Sequence, residues 1–217
     1  MKLRYLIPAA LIALSVTHQA NAFGLGNIFE ESMHLAEKSG EGHYSKDGNS
    51  HTSPSGQRAQ DEQTVHINSE AIVAFSPNGD ATKVIVDAIK QARSQILVQA
   101  YSFTSKPILA ALANAKERGV DVRVIADKTN DTGKYSGATY MTDHGVPVWI
   151  DDSVQIAHNK VMIFDGKSIL TGSFNFSQAA QKDNAENVLY IKDCPQLAAQ
   201  YTKDWQWRLG YSRKFGS

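Results

Sequence analysis

One cysteine in 217 residues, Cys194, excludes an internal disulfide framework. The fold must then hold by its core or by association. Charge of one sign is missing as well: 22 Lys+Arg face 22 Asp+Glu, a formal net charge of zero. That excludes a globally basic protein, so any polyanion must be held by a local patch. Long hydrophobic runs are lacking beyond the first residues, where Tyr5–Val16 is near the lower limit for spanning a bilayer. No internal repeat is present.

What is there begins with "MKLRYLIPAALIALSVTHQANA". Lys2 and Arg4 precede the apolar stretch, and Ala20-Asn21-Ala22 closes it, the layout of a secretory signal cut after Ala22. The sequence thus predicts a periplasmic or secreted chain; the alternative is an uncleaved N-terminal anchor. Without residues 1–22 the chain keeps 20 basic against 22 acidic side chains, and no stable membrane association is expected. Residues 23–39 could form a short amphipathic helix through Ile28, Phe29, Met33 and Leu35. The stretch 40–63 is rich in Gly, Ser and charge and reads as a flexible linker within an N-terminal segment ending at 69. His34, His43 and His51 lie in or near it without metal-ligand spacing.

From residue 70 strand and helix signals alternate. Strands are expected at 71–75, 96–103, 120–127, 146–150, around 158–165, at 168–173 and at 187–193. Helices are expected over 80–92, after Thr104 or Ser105, near 136–143, around 176–182 and from Pro195 onward. The last should turn Leu197, Tyr201, Trp205 and Leu209 inward. This pattern predicts an α/β fold with a mixed, mainly parallel sheet and helices on both faces.

Within "HNKVMIFDGKSILTGSFNFS" (158–177) polar residues interrupt the apolar pattern at fixed offsets: His158, Lys160, Asp165, Gly172, Ser173 and Asn175. Alternate residues of a strand share a face, so His158 and Lys160 should point to one rim, and Ser173 and Asn175 should converge on it. An imidazole, an ammonium, a hydroxyl and an amide suit a phosphodiester, whose oxygens need a cation and neutral donors. No Asp, Glu and His cluster at metal spacing lies beside them, and neither metal nor cofactor is expected.

This stretch resembles the HKD signature of the phospholipase D superfamily at all six fixed positions. Six positions at about one-in-twenty usage match by chance only about a few times per million chains of this size. "AYSFTS", "AKERGVDVRVIAD", "GSFNFS" and "AEN" are similar to the single-motif bacterial periplasmic endonucleases of that superfamily, over roughly 70–210. The resemblance implies a phospholipase D-like fold and a covalent phosphohistidine on His158. It implies that Glu186 fixes the His158 tautomer and that Lys160, Ser173 and Asn175 hold the phosphate. Asp165 is expected to brace loops rather than touch substrate.

The leaving alkoxide needs a proton, and no other histidine repeats the motif. A symmetric homodimer with a composite site, each His158 facing its mate, is therefore expected. Lys128 and Lys134 are candidates for backbone contacts, as are Arg208, Arg213 and Lys214 near the C-terminus. Phe174 and Phe176 are expected in the core or at the dimer interface. The reading is sequence-nonspecific cutting of DNA, with RNA left open; the alternatives are a phospholipid diesterase and a nucleic-acid-binding module without activity.

Overall fold

The computed structural model describes residues 64–131 and 136–216. The expected leader, the 23–39 helix, the linker and Lys134 lie outside the described residues. The chain runs β1 (Ala71–Ser76), α1 (Ala81–Gln91), β2 (Gln95–Ala100), α2 (Lys106–Glu117), β3 (Asp121–Asp127) and a 3₁₀ turn (Lys128–Asn130). It continues as α3 (Gly137–Asp143), β4 (Val148–Asp151), β5 (Lys160–Phe164), β6 (Ser168–Gly172), α4 (Gln178–Lys182), β7 (Glu186–Ile191), α5 (Pro195–Leu209) and β8 (Arg213–Lys214).

All eight strands form one sheet in the order β1-β7-β6-β5-β2-β3-β4-β8. The expected mixed sheet is present, and β1, β2, β3, β4 and β6 run in the same direction. Parallel pairing between neighbours is nevertheless confined to β2-β3-β4. The "mainly parallel" expectation therefore needs correcting at the level of neighbours. Only the crossovers through α2 and α3 join neighbouring strands in the same sense; β5 and β6 meet through a tight turn, and β7 inserts antiparallel beside β6.

The central strands alternate between two cores. Ile96, Val98, Val122, Val124, Met162, Phe164 and Leu170 pack with Ile85, Ile89, Ile108, Leu112 and Met141 of α1, α2 and α3. Leu97, Ile125, Val161, Ile163 and Ile169 face the opposite way, onto Leu197, Ala198, Tyr201, Trp205 and Leu209 of α5. Trp205 also donates Nε1–H to the carbonyl of Val98 (3.0 Å), fixing α5 on the middle of the sheet. Burying two faces explains why these strands read as near-continuous apolar runs.

Two boundaries matter for the site. The expected strand 96–103 stops at Ala100, because Phe103 pairs with Phe176 and both Thr104 and Ser105 donate N–H to the Phe176 carbonyl. β5 starts only at Lys160, leaving His158 in the preceding loop. Ser105 is the N-cap of α2 but makes no side-chain capping bond.

Candidate active site

Because β5 is antiparallel to both β2 and β6, the start of β5 lies beside the end of β2 and the end of β6. β7, antiparallel to β6, brings Glu186 to the same end, with Gly172 opposite Val188. Residues far apart in sequence thus gather at one end of the sheet: His158, Lys160, Ser173, Asn175, Glu186 and, from β2, Tyr101.

Lys160 is the centre of the arrangement. Its residue is only 6% exposed, and its Nζ donates to the carbonyl oxygen of His158 at 2.7 Å. Burial pushes its pKa below the ordinary lysine value, against the opposing pull of the Glu186 carboxylate. Among the described residues no carboxylate comes within salt-bridge distance of it. A buried, unpaired ammonium is costly, and an anion entering beside it would supply the missing partner. His158 is exposed, so its imidazole is open to a reactant. The expectation that His158 lies in the strand with Lys160 needs correcting, since β5 begins at Lys160, but the His158 ring and the Lys160 ammonium both meet the ring of Tyr101.

The loop after β6 is tightly determined. Gly172 has φ +149, and a Cβ there would collide with the carbonyl oxygen of Asn187, so the close approach to β7 requires glycine. Ser173 Oγ accepts from Asn187 N (3.1 Å) and Nδ2 (3.2 Å), leaving its hydroxyl proton to donate. Phe174 and Phe176 are each 1% exposed, so they are core residues rather than stacking platforms. They flank Asn175, and its Oδ1 is buried with no hydrogen-bond partner among the described residues. Such an atom marks a place where a ligand group or a water completes the shell. Glu186 accepts from Asn184 Nδ2 at 3.1 Å and, among the described residues, makes no hydrogen bond to the His158 ring expected to be its partner.

Three contributors went unrecognised in the sequence: Tyr101, Asn187 and Asp127. Asp127 is fully buried at the end of β3 and accepts N–H from Thr129 (2.9 Å) and Ala157 (2.7 Å), tying down the loop that delivers His158. "AYSFTS" and "AEN" contain the first two, but only the register of β7 against β6 shows what Asn187 holds.

Asp165 lies at the other end of β5, about 17 Å from Lys160 by strand rise. It accepts N–H from Arg93, Ser94 and Gln95 and the hydroxyl of Ser94 at 2.7–3.1 Å. Partial burial pushes its carboxyl up, but these donors outweigh it and hold the pKa below the usual carboxylate value. Asp165→Ala should cost about 2 kcal/mol in denaturant unfolding, since it strips acceptors from three N–H groups and leaves alanine at φ +53. This stabilisation is complete above the unfolded-state value of about 3.9 and is lost as pH falls through the lower native value. Wild type and Asp165→Ala should therefore converge in stability under acid.

The C-terminal cations do not serve as expected. Arg213 pairs with Asp131 and, through Nε at 2.8 Å, with Asp152; Arg208 pairs with Asp151 at 3.3 Å. β8 at the sheet edge places Arg213 between its two carboxylates, while Arg208 ties α5 to the end of β4. Lys214, in the same strand, is exposed. Lys128 is also exposed, with Nζ 3.4 Å from the Val154 carbonyl. A cavity of about 260 Å³ lined by Gln99, Asn159, Val161, Gln200, Tyr201 and Asp204 opens on the α5 face, away from the motif side chains. Cys194 is buried with its thiol pushed up by desolvation, an unreactive state.

Residues 85–209 match the family described as "Cardiolipin synthase, PLD-like domain". The chain is 43% identical over 140 residues to a protein of Rickettsia typhi named "Phospholipase D", covering 64% of this chain and 66% of that one. It is 32% identical over 109 residues to the "Mitochondrial cardiolipin hydrolase" of Mus musculus, covering 50% and 49%. Among solved structures, Nuc of Salmonella typhimurium, titled a phospholipase D family member, superposes with a TM-score of 0.66 at 38% identity. That match covers 69% of this chain and all of the other.

Proposed function

The chain belongs to the phospholipase D superfamily of phosphodiesterases, and on that premise we propose that it is a metal-independent, sequence-nonspecific endonuclease acting on DNA, with RNA as a second candidate substrate. The observation that carries the anionic half of this reading is the buried ammonium of Lys160 beside the open imidazole of His158. In the proposed reaction a neutral ring nitrogen of His158 attacks phosphorus and the P–O bond to the leaving oxygen breaks. Lys160, Ser173 and Asn175 hold the non-bridging oxygens, and Glu186 keeps the proton on the other ring nitrogen. Water then attacks the phosphohistidine, the P–N bond breaks, the proton of the water passes to the partner's His158, and the nucleophilic His158 is regenerated.

The alkoxide receives its proton from His158 of a second copy in a homodimer. Support comes from the single motif and from an uncovered apolar face beside the site. Val73 and Phe75 of edge strand β1 are 57% and 61% exposed, and Phe75 pairs with Asn187, which holds Ser173. The exposed position of His158 at the sheet end favours a polymer. The names of the curated relatives favour a second reading, a phospholipid diester cleaved by the same chemistry.

A panel of plasmid, single-stranded DNA, RNA and phosphatidylcholine vesicles, each with and without excess EDTA, separates the readings. The expected result is nucleic-acid cleavage unaffected by EDTA. Loss of cleavage in EDTA would overturn the metal-free mechanism, and turnover of lipid alone would overturn the nuclease.

A further inference from the structure

Tyr101 follows the last residue of β2, and its backbone is held on both sides. Its N–H donates to the Asn159 carbonyl at 3.1 Å, and its carbonyl accepts Nδ2 of Asn130, whose side chain also reaches the Asp127 carbonyl. The ring that leaves this fixed backbone meets two groups of the site. Its centroid is 4.5 Å from the His158 imidazole centroid with planes at 53°, and the Lys160 ammonium lies 5.0 Å from the same ring.

Neither contact is incidental to what the two groups must do. Among the described residues neither nitrogen of the His158 ring has a hydrogen-bond partner, and rotation about the last bond of a histidine is broad and roughly two-fold. An aromatic wall at this distance removes much of that freedom, and an attacking nitrogen works only within a narrow range of orientations. Lys160, drawn down by burial, must stay protonated to hold a phosphate oxygen, and the negative face of an aromatic ring favours the charged form.

We propose that Tyr101 is a positioning residue of the phosphodiesterase site, whose ring sets the plane of the His158 imidazole and keeps the Lys160 ammonium charged. This rests on the assignment of His158 and Lys160 above, but not on which natural diester is cut. The hydroxyl has no part in it.

The test follows release of p-nitrophenolate from bis(p-nitrophenyl) phosphate by the full chain across pH, in wild type, Tyr101→Phe and Tyr101→Leu. Tyr101→Phe should stay within about twofold of wild type in kcat. Tyr101→Leu should lower kcat by about 10- to 100-fold with KM within about twofold, the signature of lost orientation rather than lost binding. Its alkaline limb should also move to lower pH by about half a unit, since removal of the ring lowers the Lys160 pKa. Pentafluorophenylalanine at 101 keeps the shape and reverses the charge of the ring face, so it should move that limb in the same direction even if the leucine variant fails to fold. Unchanged kcat and limb in both altered rings would overturn the proposal, as would a Tyr101→Phe variant as impaired as Tyr101→Leu. A wild-type chain inert toward this diester would overturn the site assignment along with it.

Discussion

His158→Ala should abolish diester cleavage, by at least about 10⁴-fold, while leaving unfolding within about 0.5 kcal/mol of wild type. The two halves of that expectation have separate causes. No other histidine carries the motif, so the proposed nucleophile has no substitute in the chain. The side chain is exposed and touches the ring of Tyr101, so its loss opens no cavity. Acid-quenched wild type should retain phosphate bound to protein, and the variant should retain none. Mixing tests whether the site is shared. If each active dimer needs two imidazoles, equal amounts of wild type and variant after subunit exchange should leave about a quarter of the wild-type specific activity of an all-active pool. A result of about one half would mean that each subunit works alone.

Lys160→Met should move activity and stability in opposite directions. Lys160 is the one buried cation among the described residues, and on the proposed mechanism its ammonium holds a phosphate oxygen, so losing it should lower kcat by about 10³-fold. Methionine has nearly the same length and carries no charge to desolvate, so the variant should be about 1 kcal/mol more stable at neutral pH, with Tm higher by about 2–4 °C. The pH dependence carries the sign. A lysine whose native pKa is lowered binds fewer protons in the folded than in the unfolded chain. Wild type therefore gains stability as pH rises from the lowered value toward the ordinary 10.5, and the gap to Lys160→Met should narrow there. Calorimetry across pH checks this. A destabilised Lys160→Met would instead make the bond to the His158 carbonyl a structural cross-link.

Those opposed effects show why the site was partly legible in the sequence. A lysine inside a strand that otherwise buries both faces, with a serine and an asparagine just past the end of the next, breaks the local rule for such strands, and breaks of that kind concentrate where function is retained at a cost to stability. The spacing around them predicts that His158, Lys160, Ser173 and Asn175 form one group, and the strand pairing does gather them at one end of the sheet. Phe174 and Phe176 were legible for the opposite reason: their bulk leaves them few places outside the core.

Other features depend on contacts across long sequence separations. Arg213 looked like a cation free to meet a polyanion until β8 paired with β4 and placed it between Asp131 and Asp152. Asp165 belongs to the signature by sequence, yet strand rise carries it to the far end of β5, where it collects backbone N–H groups from the end of the α1–β2 connection. Tyr101 is one more aromatic in an apolar run until antiparallel pairing of β5 with β2 brings His158 and Lys160 against it.

By itself the sequence determined the α/β class, the family and the residues of the motif, because periodicity and spacing are local properties written in consecutive positions. The tertiary structure alone decided which strands pair in which sense, which charges are already neutralised and which ring stands beside the histidine. Those follow from register and burial, and both are set by the whole sheet closing over its two cores.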